Sequence, residues 1–120
     1  MYLEIDGLLY SPEDIRTMEY NNNMFEIFFI NNGNNPQKTR LEMDEGKRIL
    51  SALVGDQFHR FVLIQNKLYN VKNIEDLEVA NNNHTVIYFK DGTKELVYGK
   101  DSYKLIKDAI NVYKNQELDF

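Results

Sequence analysis

The sequence contains no cysteine among its 120 residues. Disulfide bonds, thiolate metal sites and cysteine nucleophiles are therefore excluded, which fits a reducing compartment. No apolar run approaches the roughly 18 residues that a membrane span needs. The N-terminus also lacks the basic start and the long apolar stretch of a signal peptide. We therefore predict a cytoplasmic protein without a membrane segment.

Residue types suited to catalysis are also scarce. Only two histidines occur, His59 and His84, and neither has a second histidine or a carboxylate at ligand spacing. The sequence has no glycine-rich phosphate loop, nucleophile elbow or EF-hand, and its carboxylates show no metal-binding spacing. These absences predict a non-enzymatic protein without cofactor or metal. A catalytic base at either histidine is the less favoured alternative.

The sequence does contain an internal repeat. A shift of about 59 residues aligns residues 1–58 (the first half) with residues 59–120 (the second half). A slip of two residues precedes the last part of the alignment. A repeat of this length indicates one supersecondary unit used twice. The matched pairs include Ile5/Ile64, Leu9/Leu68, Tyr10/Tyr69, Ile15/Ile74, Glu19/Glu78, Gly33/Gly92, Asp44/Asp101 and Ile49/Ile106.

Each half combines strand and helix signals in the same order. Residues 24–30 (MFEIFFI) and 85–89 (TVIYF) are rich in β-branched and aromatic residues, which is typical of buried strands. Asp6-Gly7 predicts a hairpin, and Asn66-Lys67 marks the corresponding turn. Asp44 and Asp101 are expected to be N-caps of helices over 44–54 and 102–115. We predict an α+β fold, two pseudo-equivalent β-β-β-β-α repeats packed as one domain over residues 1–120.

This element order resembles that of the Whirly and Pur-type single-strand nucleic-acid binders, in which two β-β-β-β-α repeats intertwine. The resemblance covers almost the whole chain but includes no specific motif. The second half, through residues 68–75 (LYNVKNIE) and 91–94 (DGTK), is also similar to short bacterial and phage modules such as the FlbD-type proteins. The first resemblance implies single-strand nucleic-acid binding, whereas the second implies little about function.

Charge is distributed unevenly between the halves. The first half carries five Lys/Arg and ten Asp/Glu, a net charge of −5, whereas the second carries nine of each. Such an acidic chain disfavours sequence-independent nucleic-acid binding. One interpretation of the acidic residues is a solvated sheet face. The other is a surface for a basic protein partner or for mimicry of phosphates. These candidate partner-binding residues are Glu4, Asp6, Glu13, Asp14, Glu19 and Glu26.

The second half supports a competing hypothesis. Alternating basic and aromatic residues can form a groove for single-stranded nucleic acid, although lysines are also ordinary solubilising residues on exposed faces. The candidate residues are Arg60, Phe61, Tyr88, Lys90, Lys94, Tyr98, Lys100 and Lys104, with Tyr103 nearby.

From these features we predict a non-enzymatic module that binds another protein, as a bacterial or phage accessory factor or inhibitor with an acidic surface. The alternative is a single-strand nucleic-acid binder of Whirly or Pur type. An apolar sheet face left over from the core would also permit a homodimer.

Overall fold

A computed structural model describes residues 2–30, 38–55, 60–81 and 84–118. The chain forms a compact α+β structure in which the same order of elements occurs twice. The first half contains five strands, a 3₁₀ turn over Pro12–Asp14 and a helix. Its elements are β1 (Leu3–Ile5), β2 (Leu8–Tyr10), β3 (Ile15–Asn21), β4 (Met24–Phe29), β5 (Lys38–Leu41) and α1 (Met43–Val54).

The second half repeats this order, with a 3₁₀ turn over Val71–Asn73. The prediction of four strands before each helix is therefore wrong, because the opening hairpin adds two strands to the three that follow the 3₁₀ turn. The elements are β6 (Phe61–Ile64), β7 (Lys67–Asn70), β8 (Ile74–Val79), β9 (Thr85–Phe89), β10 (Lys94–Val97) and α2 (Ser102–Leu118).

The strands form three antiparallel sheets that do not follow the division into halves. Strands β1 and β2 form a hairpin of their own, β10-β9-β8 form a three-stranded sheet, and β5-β4-β3-β7-β6 form a five-stranded sheet. The second hairpin therefore joins the sheet of the first half, where Thr17 lies opposite Tyr69 and Met18 opposite Leu68. The five-stranded sheet therefore contains strands of both halves.

Tight turns explain the hairpins. Asp6 and Gly7 both have positive φ, at 52° and 80°, and join Ile5 to Leu8, as a two-residue hairpin turn requires. In the second half Gln65 has the positive φ, 59°, and Ile64 pairs with Lys67. The turn is therefore Gln65-Asn66, one residue earlier than predicted.

Two apolar clusters form the core, one in each half. The first contains Ile5, Tyr10 and Ile15, and the second contains Ile64, Tyr69 and Ile74, as the repeat predicts. The second hairpin contributes to both clusters, since Leu68 lies in the first and Tyr69 in the second. Strand alternation points these neighbours to opposite faces, so this hairpin is buried between the two halves.

The helices lie close to their predicted positions, with one difference in capping. Helix α1 begins at Met43, so Asp44 lies inside its first turn and Glu42 occupies the N-cap position without a side-chain cap bond. Asp101 directly precedes α2, and its carbonyl accepts a hydrogen bond from the Leu105 amide at 3.0 Å. Neither described helix is long and apolar enough to cross a membrane.

Candidate functional site

The predicted acidic residues lie on three separate parts of the first half. Glu19 and Glu26 are opposite each other on β3 and β4, and each is paired with a cation. Lys67 Nζ lies 3.5 Å from Glu19 Oε2, and Lys38 Nζ lies 3.2 Å from Glu26 Oε2. These two carboxylates therefore stabilise the five-stranded sheet by cross-strand ion pairs.

Glu13, in the first 3₁₀ turn, is also neutralised internally. Its Oε1 lies 2.8 Å from Lys72 Nζ and 3.9 Å from Arg60 Nη1. The hydrogen bond with Lys72 lowers the pKa of Glu13 below its usual value. Both cations belong to the second half, so Glu13 helps to join the halves.

The remaining three carboxylates do not extend this region into one acidic face. Glu4 and Asp6 are exposed on the β1–β2 hairpin, and Asp14 is partly buried, with its backbone carbonyl bonded to the Ile30 amide at 2.9 Å. The six residues thus belong to a hairpin, a 3₁₀ turn and a sheet face.

Two residues of the predicted basic and aromatic surface are used inside the structure. Phe61 packs against the core of the first half. The Arg60 side chain is largely covered and contacts Glu13, and its carbonyl accepts a hydrogen bond from the Val71 amide at 2.7 Å. Both residues position the second hairpin and are not available as a groove.

Tyr88 and Lys94 do lie together, directly opposite each other on β9 and β10. The Tyr88 hydroxyl donates to Glu78 Oε2 at 3.4 Å, and the negative charge of Glu78 raises the pKa of Tyr88. Asp76 is the other neighbour of Tyr88 in the same row of the sheet. This face therefore presents carboxylates beside its tyrosine, which is unfavourable for phosphates.

Tyr98 stands apart from that face, just before α2. Its ring contacts the His84 ring edge-on, with centroids 4.8 Å apart. The backbone amide of Gly99 donates to His84 Nδ1 at 3.3 Å, so this histidine is held in a structural role. Lys90, on the turn after β9, is exposed.

Three exposed lysines lie on one side of α2, and a fourth lies just before the helix begins. Lys104, Lys107 and Lys114 lie at spacings of three and seven residues, which places them on one helix face, and Lys100 stands one turn before Lys104. We name Lys100, Lys104, Lys107 and Lys114 the lysine stripe. Within the described residues none of the four forms an ion pair.

Two members of this stripe, Lys107 and Lys114, were missed from the sequence. Their spacing from Lys104 is a helical period that the predicted helix over 102–115 already contained. Asp108 is exposed on the same helix but is rotated roughly 80° from the centre of the stripe, at about 100° per residue. The stripe is therefore a continuous run of positive charge.

Two other cations that lie near aromatic rings, Lys67 and Arg16, form ion pairs with carboxylates of this chain. Lys67 forms ion pairs with Glu19 and with Glu95 of β10, which tie the five-stranded sheet to the three-stranded one. Burial, followed by repulsion from Glu95, raises the pKa of the nearby Tyr69 phenol well above its usual value. This junction therefore holds the two sheets together.

Arg16 forms a second junction between the same two sheets. Its Nη1 donates to Thr93 Oγ1 at 3.1 Å and lies 3.7 Å from Asp91 Oδ2. Its guanidinium carbon is also 5.7 Å and 5.5 Å from the ring centroids of Phe28 and Phe89. The charges of Arg16 and Lys67 are therefore neutralised by nearby carboxylates, in contrast to those of the lysine stripe.

The carboxylates and histidines also provide no metal site in the described part of the chain. No group of three or more His, Cys, Asp or Glu residues is close enough there to hold an ion.

Comparison with known proteins identifies a fold but no sequence family. No family model matches the chain, and no curated protein matches it. The structure is similar to a LytTr DNA-binding domain from Bacillus cereus, with a TM-score of 0.60 and 9% sequence identity. The similarity covers 92% of this chain and 94% of that one. At this identity it shows a shared fold.

This similarity corrects two predictions. The predicted resemblance to Whirly, Pur-type and FlbD-type proteins is wrong, because the structure is similar instead to a LytTr DNA-binding domain. The prediction of a protein-binding accessory factor or inhibitor with an acidic surface is also wrong, since the similar fold is that of a DNA-binding domain. The acidic surface is not available to a partner because Glu13, Glu19 and Glu26 form ion pairs within the chain.

Proposed function

We propose that this chain is a DNA-binding domain whose lysine stripe contacts the phosphate backbone. The observation that carries the proposal is the lysine stripe, with three lysines on α2 and Lys100 just before it, all exposed and without an ion-pair partner among the described residues. The similarity of the fold to a LytTr DNA-binding domain supports it. The proposal agrees with the nucleic-acid alternative considered from the sequence, but places the contact on the helix.

The dimensions of the stripe suit a phosphate backbone. Lys104 and Lys114 are ten residues apart, which corresponds to about 15 Å along a helix axis. One DNA strand presents a phosphate about every 3.4 Å of duplex axis, so roughly four or five phosphates lie within this length. Lysine is a compact, rotatable cation that adapts to such an array without base specificity.

The net charge of −5 does not oppose this arrangement. The excess of acidic residues lies in the first half, whereas the stripe lies in the second. DNA would approach α2, and the acidic first half would disfavour binding in other orientations. The resulting binding should be strongly salt-dependent, because each neutralised phosphate releases a condensed counterion.

Duplex DNA is a better fit than single strands. Binding of single strands depends on aromatic side chains that offer a face to the bases. Tyr88 is hydrogen-bonded to Glu78 and Tyr98 packs on His84. These two tyrosines are therefore engaged in intramolecular contacts, whereas no ion pair engages the lysines of the stripe.

Salt-dependent binding to a labelled duplex tests the proposal. Fluorescence anisotropy should give a slope of log Kobs against log salt concentration of about −3.6, from four phosphates at about −0.9 each. The variant K104Q/K107Q/K114Q should bind at least roughly tenfold more weakly at low salt and lose about 2.7 of that slope. An equivalent single strand, measured in parallel, should bind more weakly than the duplex.

The matched control is K47Q/K90Q/K94Q, which removes three exposed lysines elsewhere. It has the same net charge as the stripe variant and should retain most of the slope. Equal losses in the two variants would show that binding reflects overall charge and not the stripe. Absence of binding to duplex and single strand at low salt would contradict the function itself.

We also propose the finer features that accompany this function. The two halves are interpreted as pseudo-equivalent units within one domain, supported by their common element order. The protein is proposed to be non-enzymatic and cytoplasmic, from a bacterium or phage. These proposals rest on the repeat and on the scarcity of catalytic residue types in the sequence.

A further inference from the structure

The two halves differ in what lies beside their third strand. In the first half β3 pairs with β4 on one side and with β7 on the other. In the second half β8, the equivalent strand, pairs with β9 and has no described strand on its other side. An unpaired edge of this kind presents backbone donors and acceptors that can accept another strand.

The second hairpin shows what such an edge accepts. Leu68 enters the buried cluster of the first half, and Phe61 packs against the same cluster. Asn70 Nδ2 donates to the carbonyl oxygen of Ile15 at 2.8 Å, as does Asn73 Nδ2. Strand pairing and apolar side chains of the second hairpin thus cover the β3 edge, and a pocket of about 440 Å³ remains between this hairpin and α1.

The corresponding space in the second half is open. A cleft of about 280 Å³ lies between β8 and α2, with Ile74, Leu77, Tyr103 and Ile110 among its walls. We name it the β8–α2 cleft. Its lining corresponds to the part of the first half that Leu68 and Phe61 cover.

The first hairpin carries apolar side chains at the positions equivalent to those of the second hairpin. Through the repeat, Leu9 corresponds to Leu68 and Tyr2 to Phe61. Leu68 is 1% exposed, whereas Leu9 is 69% exposed and Tyr2 is 71% exposed. The hairpin therefore carries the apolar side chains of a docking element on a face that nothing described in this chain covers.

We propose that the β1–β2 hairpin of one copy docks on the β8 edge of a second copy and fills its β8–α2 cleft. Strand β2 would pair antiparallel with β8, with Leu9 opposite Leu77 and Tyr10 opposite Asp76. This register repeats the internal one, in which Leu68 lies opposite Met18 and Tyr69 opposite Thr17. The contact between copies is thus a continuation of the contact between halves.

Charge at equivalent positions supports a second copy as the occupant. In the first half Leu50 of α1 and Leu63 of the docked hairpin line the same pocket. The equivalent residues are Lys107 on α2 and Glu4 on the first hairpin. Two apolar walls of a pocket within the chain thus correspond to a pair of opposite charges between copies.

A second pair of opposite charges stands at positions equivalent to two other residues of this pocket. Met43 and Gln65 also line the first-half pocket, and their equivalents are Lys100 and Asp6. The two ends of the chain are therefore complementary in charge as well as in shape. Opposite charges at a rim favour the correct register and partner.

The contact between copies should be weaker than the internal one. Ser11 and Asp14 replace Asn70 and Asn73 at the equivalent positions, so the buried amide donors are missing. Each copy carries one hairpin and one edge, so the contact is head-to-tail and leads to rings or open chains. It does not depend on DNA binding, although Lys107 and Lys114 border the cleft.

Sedimentation equilibrium of the purified chain without DNA tests this inference. Between about 1 µM and 1 mM, the average mass should rise above that of the monomer. Leu9→Glu should abolish the rise, and its fold should survive because Leu9 is exposed. Val112→Glu, at another exposed apolar residue, is the matched control and should associate like the unchanged chain.

A charge exchange tests the register. Glu4→Lys and Lys107→Glu should each weaken association at low salt, and the double variant E4K/K107E should restore it. A chain that stays monomeric over the whole concentration range would overturn the proposal. So would association that Leu9→Glu leaves unchanged. Because no DNA is present, neither result bears on the proposed DNA contact.

Discussion

The two hairpins of this protein have the same sequence pattern but different surroundings. The β6–β7 hairpin buries both faces, with Leu68 in one core and Tyr69 in the other. The β1–β2 hairpin buries Tyr10 and leaves Leu9 exposed. The repeat therefore determines which face of a hairpin carries apolar side chains. Whether that face is covered depends on whether another unit lies beside it.

The two helices also differ in how closely they are covered: α1 packs tightly on its sheet, whereas α2 borders an open cleft. Gly46 of α1 lies so close to Phe25 that an added Cβ would be 2.8 Å from the Phe25 Cβ. At the equivalent position of α2 stands Tyr103, which lines the β8–α2 cleft. A glycine permits close packing of α1 on its sheet, whereas a tyrosine occurs where the helix borders an open space.

The strongest test of this comparison is truncation of the equivalent leucines. Leu68→Ala should lower the free energy of unfolding by about 2–5 kcal/mol, because it removes a buried side chain and leaves a cavity. Leu9→Ala should change it by less than about 0.5 kcal/mol, since that side chain is exposed. Urea unfolding at low protein concentration measures both, and equal effects would show that the two hairpins are equally covered.

The buried amide of the second hairpin should have the next largest effect. Asn70→Ala removes the donors to the carbonyls of Ile15 and Pro12 and the acceptor of the Lys72 amide. We expect a loss of about 1–3 kcal/mol, because buried polar groups are left without partners. Ser11→Ala, the equivalent change, removes one exposed bond to the Glu13 amide and should cost less than about 1 kcal/mol. Thermal unfolding of the two variants checks the difference.

Gly46→Ala tests the close approach of α1. Alanine favours the helix by up to about 1 kcal/mol, but the new methyl group must displace the buried Phe25 ring, at about 1–3 kcal/mol. We expect a net loss of about 1 kcal/mol in chemical unfolding. Ser51→Ala, at an exposed position of the same helix, should give only the helix-propensity gain. A stabilised Gly46→Ala variant would contradict the packing described here.

The smallest effect concerns the ion pair that joins the halves. The pKa of Glu13 is lowered by its hydrogen bond with Lys72, so the folded state binds the proton less tightly than the unfolded state. The stabilisation is therefore present above the unfolded pKa and is lost as the pH falls through the folded one. Relative to Glu13→Gln, the unchanged chain should be more stable near neutral pH, by less than about 1 kcal/mol.

Unfolding at several pH values between about 7 and about 3 measures this difference. Lys72→Met is the matched control, since it removes the largest cause of the shift and should reduce the extra pH dependence. A difference between the unchanged chain and Glu13→Gln that stays constant over this range would argue against the ion pair.

The sequence predicts the local features well and the long-range ones poorly. The strand over Met24–Phe29 and the helix over Met43–Val54 follow from β propensity and from the spacing of apolar residues. The turn at Asp6-Gly7 follows from the Asp-Gly pair, and both residues have positive φ in the structure. Each of these signals lies within a few residues, so one sequence suffices to find it.

The pairing of β7 with β3 could not be predicted in the same way. Leu68 and Leu9 are identical residues in similar contexts, so the pattern cannot tell which of them is covered. The lysine stripe can be predicted in part, because the helical spacing of Lys107 and Lys114 is visible in the sequence. The sequence does not show which lysines form ion pairs. Only the structure shows that Lys67 and Lys72 have carboxylate partners, whereas Lys107 and Lys114 have none among the described residues.

The position of β7 also has a consequence for the synthesis of this protein on the ribosome. The sheet of the first half cannot be completed until residues 67–70 have left the exit tunnel, because β7 supplies its fourth strand. Until then the β3 edge and the apolar side chains beside it remain open to other nascent chains. Late pairing across some 50 residues is also slow by nature. A rare-codon pause that holds the second hairpin inside the tunnel while the first half is already outside should therefore favour aggregation, whereas a pause after that hairpin has emerged should not.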